Sequence, residues 1–361
     1  MSDNLASIKQ SVRELRSYSL RPERGRVKLN QNENPWDMPA RIKQETMRRL
    51  SDGTWSRYPN FVPQGLHERL SEFSGWRAKG IVAGNGSNEL IQALLMVTVG
   101  EEKRVLISEP TFSLYRQIAT VLGGEVVSCP LNDDLTYDVV TLMDAVVRFN
   151  PAVTIICSPN NPTACVISDD DLCSLLQSTK GLVVVDEAYH EFAKHSVVPL
   201  LREYDNLVVL RTLSKAMAMA GLRVGYLLAA PELTQEIKKA VLPYNLNIIS
   251  QTAAEVAIEM YEDELQPLVS QIIAERGRLL DSLKEIKGLT PVASHANFIL
   301  VRSVIDPQQV FAGLIQRDIL IRDVSGYPML SDYVRFSVGT PEENDLLLGA
   351  LREIFEGRSQ A

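Results

Sequence analysis

Residues 182–215 read LVVVDEAYHEFAKHSVVPLLREYDNLVVLRTLSK and contain two short apolar runs, LVVV at 182–185 and LVVL at 207–210. Each run is apolar at successive positions, as is typical of a strand whose two faces are both covered by helices. Polar residues follow each run directly, with Asp186 after the first and Thr212 to Lys215 after the second. This segment therefore predicts two strands of a mostly parallel sheet, each followed by a polar cluster.

The same pattern extends outward from this segment. Apolar runs at 104–108 and 153–157 alternate with helical patterns, so residues from about 80 to 230 are predicted as an α/β unit. Two long helical patterns follow at 250–261 and 264–286, and the second is long enough to connect two domains. Beyond it, runs at 297–302, 319–322 and 333–338 alternate with helices near 307–316 and from 341 onward, which indicates a smaller α+β unit.

These patterns divide the chain into three parts. Residues 1–40, rich in Arg, Asn and Pro, are predicted as an N-terminal arm that also contributes to the small domain. Residues 41–270 form the predicted large domain, and residues 271–361 form the predicted small C-terminal domain.

The composition restricts the partners that the chain can have. A net charge of −8 argues against nucleic acid, because binders of nucleic acid cluster Lys and Arg to displace counterions. Uncharged stretches such as 149–168 are interrupted by Pro and Asn, so no membrane span is expected. The four cysteines form no CxxC pair, so no metal site is expected. Reduced thiols and the lack of a secretory signal in residues 1–10 predict a cytoplasmic location.

The polar clusters at the strand ends are predicted to converge, because the carboxyl ends of parallel strands face one crevice. They comprise residues 158–163, residues 186–189 and residues 212–215. A carboxylate at the end of a buried strand is costly unless it meets a cation, and a protonated pyridine ring would be such a cation. Asp186 would keep that ring nitrogen protonated, and Lys215 in a partly apolar site would have the lowered pKa that a Schiff-base lysine needs.

Each of these two residues also has a purely structural interpretation. Asp186 by itself could cap a helix, and Lys215 by itself could be a solvated surface lysine. Their occurrence together, each directly after an apolar strand, favours the cofactor site over the two structural roles.

Residues 83–91, AGNGSNELI, place glycines and small polar residues directly before an apolar helix. Backbone N–H groups and the helix dipole then face an anion. Many helices begin after such turns, so this motif alone is weak. Arg223, shortly after Lys215, adds a guanidinium that can bind a phosphate through two hydrogen bonds. Together these features predict a site for the phosphate of the cofactor.

Residues 158–163, 186–189 and 212–226 resemble the fold type I aminotransferases of the class I/II group. Within this group the chain is most similar to the histidinol-phosphate aminotransferases, through 29–35 (LNQNENP), 57–59 (RYP), 84–91, 109–115 (EPTFSLY) and 334–340 (VRFSVGT). The resemblance spans nearly the whole chain. It implies an aspartate aminotransferase-like α/β fold, in which a large cofactor-binding domain with a mostly parallel, mixed seven-stranded sheet accompanies a smaller α+β domain. It also implies a homodimer.

The resemblance implies a role for each cofactor-binding residue. Lys215 carries pyridoxal phosphate, Asp186 pairs with the ring nitrogen, and Phe112 stacks on the ring. Asn161 and Tyr189 donate hydrogen bonds to the phenolic oxygen of the ring. The residues implied to hold the cofactor phosphate are Ser87, Asn88, Thr212, Ser214 and Arg223, with Tyr58 reaching it from a second subunit.

The residues on the substrate side are less specific. Arg335 is implied to bind the α-carboxylate of the substrate, and Asn161 is implied to contact the substrate as well as the cofactor. Tyr18 stands where the subgroup has a tyrosine that touches the substrate phosphate, although Ser17 replaces the preceding proline. Arg322 is a candidate for the distal group of the substrate, and a solvated arginine at a strand end is an equal alternative. 

The implied reaction is ping-pong transfer of the amino group from L-histidinol phosphate to 2-oxoglutarate, a step of histidine biosynthesis. Both the amino donor and the 2-oxo acid acceptor are small molecules. An aromatic amino acid aminotransferase and a threonine-phosphate decarboxylase share the same cofactor residues and stay open as alternatives. A cofactor-bound regulatory protein without turnover is an alternative of another class, against which Lys215, Asp186 and Arg335 argue. Ala164 replaces the glycine that ends the NNPTG motif of the family, so the backbone angles of that turn are expected to differ slightly.

Overall fold

The structure, a computed structural model, describes residues 3–15 and 25–356. The strands in these residues are β1 (Val27–Lys28), β2 (Ile81–Gly84), β3 (Arg104–Glu109), β4 (Glu125–Pro130), β5 (Val153–Cys157), β6 (Leu182–Asp186), β7 (Leu207–Thr212), β8 (Gly225–Leu228), β9 (Leu289–Pro291), β10 (Phe298–Ser303), β11 (Ile319–Leu320), β12 (Arg322–Asp323) and β13 (Tyr333–Ser337).

The helices surround these strands. The α-helices are α1 (Gln10–Glu14), α2 (Ala40–Ser51), α3 (Gln64–Ser74), α4 (Ser87–Thr98), α5 (Leu114–Leu122), α6 (Val139–Phe149), α7 (Asp169–Ser178), α8 (His190–Ala193), α9 (Pro231–Lys238), α10 (Ile248–Glu259), α11 (Gln266–Lys284), α12 (Pro307–Ile315) and α13 (Pro341–Glu356). A π-helical turn, Tyr261–Leu265, connects α10 to α11, close to the boundary between the two long helices predicted from the sequence.

The large sheet has seven strands in the order β2-β8-β7-β6-β5-β3-β4. All neighbours are parallel except β8, which is antiparallel to both β2 and β7. The predicted α/β fold with a mostly parallel, mixed seven-stranded sheet is confirmed.

Burial explains why the strand sequences are continuously apolar. On β6, Val183 and Val185 pack into the core on one face of the sheet, whereas Val184 packs into the core on the other. Val209 and Val208 on β7 divide between the same two cores. Because helices cover both faces, every position of these two strands except the partly buried Leu182 is buried, and the alternating pattern of a one-sided sheet is absent from them.

A smaller four-stranded antiparallel sheet has the order β12-β13-β10-β9, and β1 pairs in parallel with β11. The single strand predicted at 319–322 is therefore wrong. It is two short strands with different partners, because Ile319 and Leu320 pair with β1 whereas Arg322 and Asp323 pair with β13.

The N-terminal part packs onto the C-terminal part of the chain. Val27 and Leu29 lie in one apolar cluster with Phe298 and Phe336, away from the two cores of the large sheet. This contact agrees with the expectation that residues before 41 contribute to the small domain, while the domain boundaries themselves stay a prediction. Within residues 3–15 and 25–356, no helix is long and apolar enough to cross a membrane.

Candidate active site

The carboxyl ends of β5, β6 and β7 open onto a cavity of about 230 Å³. Residues that the sequence placed in three separate clusters meet here, as the parallel order of these strands requires. The predicted site residues that line the cavity are Ser87, Asn88, Phe112, Asn161, Asp186, Tyr189, Thr212, Ser214, Lys215, Arg223, Arg322 and Arg335.

Lys215 follows β7 and lies in the wall of the cavity, where its Nζ donates a hydrogen bond to the carbonyl oxygen of Gln31 at 2.9 Å. Burial, and after it the positive charge of Arg335, lower the pKa of Lys215 to about 8. An amine with this pKa supplies a neutral fraction near pH 7, so it can act as a nucleophile and carry a proton. This environment does not fit the alternative of a solvated surface lysine.

Asp186 is the last residue of β6, and two donors hold its carboxylate. The hydroxyl of Tyr115 donates to Oδ2 at 2.6 Å, and the backbone N–H of Ala188 donates to Oδ1 at 3.1 Å. Burial raises the pKa of Asp186 to about 6, and these two hydrogen bonds oppose that shift. The N-cap of α8 is Tyr189, so Asp186 does not cap this helix. A buried carboxylate beside a cavity is suited to a cationic ligand atom.

The chain turns from β2 into α4 at Gly86, whose φ of 79° lies in the left-handed region that glycine adopts without strain. This turn brings the start of α4 at Ser87 close to the guanidinium of Arg223, so a Cβ at Gly86 would collide with that group. A Cβ at Gly225 would likewise collide with the backbone nitrogen of Ser87. Arg223 also donates to Oγ of Ser214 at 3.1 Å. A helix N-terminus, a guanidinium and a hydroxyl thus surround one small space, which suits a phosphate.

Strands β12 and β13 place Arg322 and Arg335 directly opposite each other, and both line the cavity. Opposed residues of antiparallel strands project from the same face, with Cβ atoms about 4.5–5.5 Å apart. Arg335 is buried and donates to Oδ1 of Asn161 and, at 3.1 Å, to the carbonyl oxygen of Asn30. Two guanidinium groups facing one cavity indicate an anionic ligand.

Comparison with known proteins identifies this arrangement. Residues 24–351 match the family of class I and II aminotransferases. The chain belongs to this family. A histidinol-phosphate aminotransferase of Chlorobaculum tepidum is 38% identical over 91% of this chain and 94% of its own length.

Two solved structures are similar in fold to this aminotransferase. The histidinol-phosphate aminotransferase from Clostridium acetobutylicum matches with a TM-score of 0.85 and 25% identity, covering 92% of this chain and 99% of that one. The histidinol-phosphate aminotransferase from Sinorhizobium meliloti, solved with pyridoxal 5'-phosphate, has a TM-score of 0.86 at 24% identity and covers 99% of both chains.

The family confirms the predicted class of enzyme, a pyridoxal-phosphate-dependent aminotransferase that acts on small molecules. The residues of this chain fit the cofactor. The space beside Arg223 and the start of α4 accepts a phosphate, and the Asp186 carboxylate accepts a protonated ring nitrogen. Lys215 lies in the same cavity as a buried amine. When bound, pyridoxal phosphate supplies an electron sink for the carbanion at the α-carbon of the substrate.

Two predicted site residues of the aminotransferase remain: Tyr58 does not line the cavity, and Tyr18 falls outside the part of the chain that the structure describes. Tyr58 is 82% exposed and stacks on Tyr244, with ring centroids 4.6 Å apart. The exposure of Tyr58 is compatible with its predicted contact to a second subunit, which a single chain does not test.

Sequence reasoning missed several residues of the cavity wall. Tyr115 and Tyr327 line it, as do Asn30, Gln31 and Asn32 from the N-terminal segment. The motifs at 29–35 and 109–115 could have identified four of these residues, because they contain Asn30, Gln31, Asn32 and Tyr115 and support the family resemblance. The resemblance was not used to give these four residues a role. Nothing in the local pattern around Tyr327 distinguishes it from an ordinary loop tyrosine.

Ala164 shows how the chain accommodates its departure from the family motif. Its φ is 62°, in the left-handed region that the usual glycine adopts readily, and its side chain is fully buried. Its backbone N–H donates to the carbonyl oxygen of Asn160 at 2.6 Å. The alanine therefore occupies a glycine-like conformation, at a steric cost of roughly 1–2 kcal/mol.

Proposed function

We propose that this aminotransferase transfers the amino group of L-histidinol phosphate to 2-oxoglutarate and forms imidazole acetol phosphate and L-glutamate. The observation that carries this proposal is the register of β12 and β13, which sets Arg322 opposite Arg335 in the wall of one cavity. Like charges in register repel each other, so this pair favours a ligand that brings more than one negative charge.

Both substrates of the proposed reaction meet that requirement. The phosphate of L-histidinol phosphate is close to a dianion at neutral pH, and 2-oxoglutarate has a carboxylate at each end. A ping-pong enzyme binds the two in turn at one site, so both substrates contact the same pair of guanidinium groups in this proposal. The relative from Chlorobaculum tepidum bears the name of this activity, which supports the choice of donor.

The roles that we assign are those that the family resemblance implies, and the shared cavity supports them for all of these residues except Tyr58. Lys215 holds the cofactor covalently and, once released, moves the proton from the α-carbon. Asp186 keeps the ring nitrogen protonated, and Phe112 covers one face of the ring. Tyr189 and Asn161 bind the phenolic oxygen. The proposed phosphate ligands are Ser87, Asn88, Thr212, Ser214 and Arg223, with Tyr58 from a second copy.

Tyr189 and Asn161 have partners that already orient them. The hydroxyl of Tyr189 accepts a hydrogen bond from Nδ2 of Asn32 at 3.1 Å, so its own proton can be donated to the ring oxygen. Oδ1 of Asn161 accepts from Arg335, which leaves the amide nitrogen as the donor toward the same oxygen. The substrate arginine is thus hydrogen-bonded directly to one of the proposed cofactor ligands.

Replacing Arg322 by Ala tests the donor. We expect kcat/KM for L-histidinol phosphate to fall by about 10- to 100-fold, as befits the loss of one hydrogen-bonded charge pair, and kcat/KM for phenylalanine or tyrosine to change little. Steady-state kinetics with both donors measures the ratio. Arg302→Ala is the matched control, because Arg302 lies on β10 of the same small sheet but is exposed and pairs with Asp332 at 2.5 Å.

Two results would contradict the donor assignment. Equal losses of kcat/KM for both donors would show that Arg322 does not bind the substrate phosphate. A wild-type enzyme that prefers phenylalanine would support an aromatic aminotransferase, and release of carbon dioxide from threonine phosphate would support the decarboxylase alternative.

The second part of the proposal is a homodimer. Exposed apolar side chains cluster around Tyr58, which stacks on Tyr244, while Phe61 meets Tyr244 edge-on at 5.7 Å. Phe61 and Leu242 are also exposed and line a common groove. A contiguous exposed apolar surface of this kind is typical of a subunit interface. In a twofold-symmetric dimer, Tyr58 of each copy can reach the cofactor site of the other.

Mixing two inactive variants tests this arrangement. Subunits with Lys215→Ala keep Tyr58, and subunits with Tyr58→Phe keep Lys215, so a heterodimer has one intact composite site. We expect activity to reappear after subunit exchange, measured as glutamate formation. The control mixture combines Tyr58→Phe with the double variant Lys215→Ala/Tyr58→Phe, which leaves no intact site. A fully active monomer in sedimentation would rule the arrangement out.

We also place the reaction in the cytoplasm. The four cysteines Cys129, Cys157, Cys165 and Cys173 are free thiols, the state that a reducing compartment maintains. Taken with the proposals above, the partners of this chain are the two small-molecule substrates, the cofactor and a second copy of the chain.

A further inference from the structure

Tyr115 is a buried tyrosine that the proposed function has not yet used. It is fully buried in the first turn of α5, and its hydroxyl donates to Oδ2 of Asp186 at 2.6 Å. Asp186 is also buried. Hydrogen bonds of this length between a hydroxyl and a carboxylate are charge-assisted and among the stronger ones in proteins. The sequence separation of 71 residues shows that the sheet brings this pair together.

The carboxylate of Asp186 is restrained at both oxygens. Tyr115 holds Oδ2, and the backbone N–H of Ala188 holds Oδ1 at 3.1 Å. Two donors on different oxygens prevent rotation of the carboxylate plane. Each oxygen has a second lone pair, so the group can still accept a proton-bearing nitrogen from the cavity.

Tyr115 is itself held in place by its neighbours. Its ring packs edge-on against Phe112 with centroids 5.5 Å apart and an interplanar angle of 84°. The thiol of Cys157 contacts its hydroxyl. The chain entering α5 therefore places Phe112 in the cavity wall and Tyr115 against the carboxylate, with the two rings in contact.

The surroundings of Asp186 make this hydrogen bond important for its charge. Burial favours the protonated acid and raises the pKa of Asp186, and the hydrogen bond from Tyr115 is the largest of the effects that oppose it. Tyr137, Cys157, Glu187 and Tyr189 also interact with Asp186. None of these four carries a positive charge, so the two hydrogen-bond donors are what stabilises the carboxylate against burial at this contact.

We propose that Tyr115 is a positioning residue that keeps the carboxylate of Asp186 ionised and aimed at the ring nitrogen of the cofactor. This inference rests on the proposed role of Asp186. The ring nitrogen and the carboxylate share one proton. Loss of the Tyr115 hydroxyl raises the basicity of the carboxylate, so the shared proton moves from the ring nitrogen toward Asp186. A neutral ring then withdraws electrons from the α-carbon less effectively.

Tyr115→Phe removes the hydroxyl and retains the ring. With ¹⁵N-labelled pyridoxamine phosphate bound at pH 7, we expect the ring-nitrogen resonance to move toward its unprotonated position. We also expect kcat to fall by about 10- to 100-fold, the factor for one hydrogen bond to a charged group, with KM changed by less than about threefold.

The matched control is Tyr137→Phe. Tyr137 is also a buried tyrosine, but its hydroxyl donates to the carbonyl oxygen of Cys157 at 2.6 Å and not to Asp186. Both variants lose one buried hydrogen bond, so they should lose similar thermal stability. Only Tyr115→Phe should shift the ¹⁵N resonance, and a merely structural role of Tyr115 predicts the same resonance in both variants.

The same ¹⁵N measurement on Asp186→Asn distinguishes a failure of the role proposed for Tyr115 from a failure of the role proposed for Asp186. A shift of the resonance in Asp186→Asn together with an unchanged resonance in Tyr115→Phe would overturn the role of Tyr115 and leave the role of Asp186 intact. An unchanged resonance in Asp186→Asn itself would overturn the role of Asp186. A shift in both variants, larger for Asp186→Asn, is the expected result.

Discussion

Lys215→Ala is expected to abolish amino transfer and the borohydride-reducible linkage between the chain and pyridoxal phosphate. Lys215 supplies both the covalent attachment and the proton carrier in this cavity, and alanine supplies neither. The loss should therefore reach the limit of detection. Reduction of the wild-type enzyme with borohydride, followed by peptide mapping, should locate the cofactor on residue 215.

The pKa of Lys215 adds a pH dependence to this prediction. Because burial lowers this pKa to about 8, the neutral amine increases as pH rises from 7 to 9. The apoenzyme should therefore bind pyridoxal phosphate covalently at a rate that increases over this range and levels off above the pKa. The change in near-ultraviolet and visible absorbance measures this rate. Lys284→Ala is a suitable control, because Lys284 is an exposed lysine that pairs with Asp281 at 2.9 Å. A cofactor attached to any other lysine would refute the assignment.

Asp186→Asn should leave the cofactor bound but slow the removal of the α-proton. The amide has nearly the shape of the carboxylate and no charge, so the ring nitrogen loses the group that keeps it protonated. Removal of a preorganised electrostatic group of this kind costs roughly 10²–10³-fold in rate, or about 3–4 kcal/mol. Single-turnover experiments with α-deuterated donor isolate this step, and the isotope effect should increase as the step becomes rate-limiting.

The control for this variant is Asp169→Asn. Asp169 lies at the start of α7 outside the cavity and close to His195, at 3.1 Å. The Asp169→Asn substitution removes one carboxylate from the surface and should leave the rate of α-proton removal unchanged. Near-native turnover in Asp186→Asn would show that another group sets the protonation of the ring.

The positions of Lys215 and Asp186 could be predicted from the sequence because they depend on local pattern and one topological rule. Runs such as LVVV at 182–185 are apolar on both faces only if helices cover both faces, and this condition makes the sheet mostly parallel. Residues that follow such strands share one edge of the sheet. The turn before Ser87 and the guanidinium of Arg223 followed from residue type in the same way.

Other contacts depend on the pairing of segments that are far apart in the chain. The register of β12 against β13 sets Arg322 opposite Arg335, and a shift by one residue would turn one arginine away. The prediction of a single strand at 319–322 was wrong because its two halves pair with different, distant strands. Short strands carry too little pattern to specify their partners.

The sequence by itself determined the class of fold and the residues at the strand ends, because these follow from the apolar pattern, the residue types and the shared edge of parallel strands. The resemblance of its motifs to a known family implied the cofactor. Tertiary structure alone decided that Tyr115 holds Asp186 across 71 residues and that residues 30–32 close the cavity beside Lys215. Such contacts arise from strand order and helix packing over the whole chain. Local sequence does not encode them, because each partner is also an ordinary buried or loop residue in its own segment.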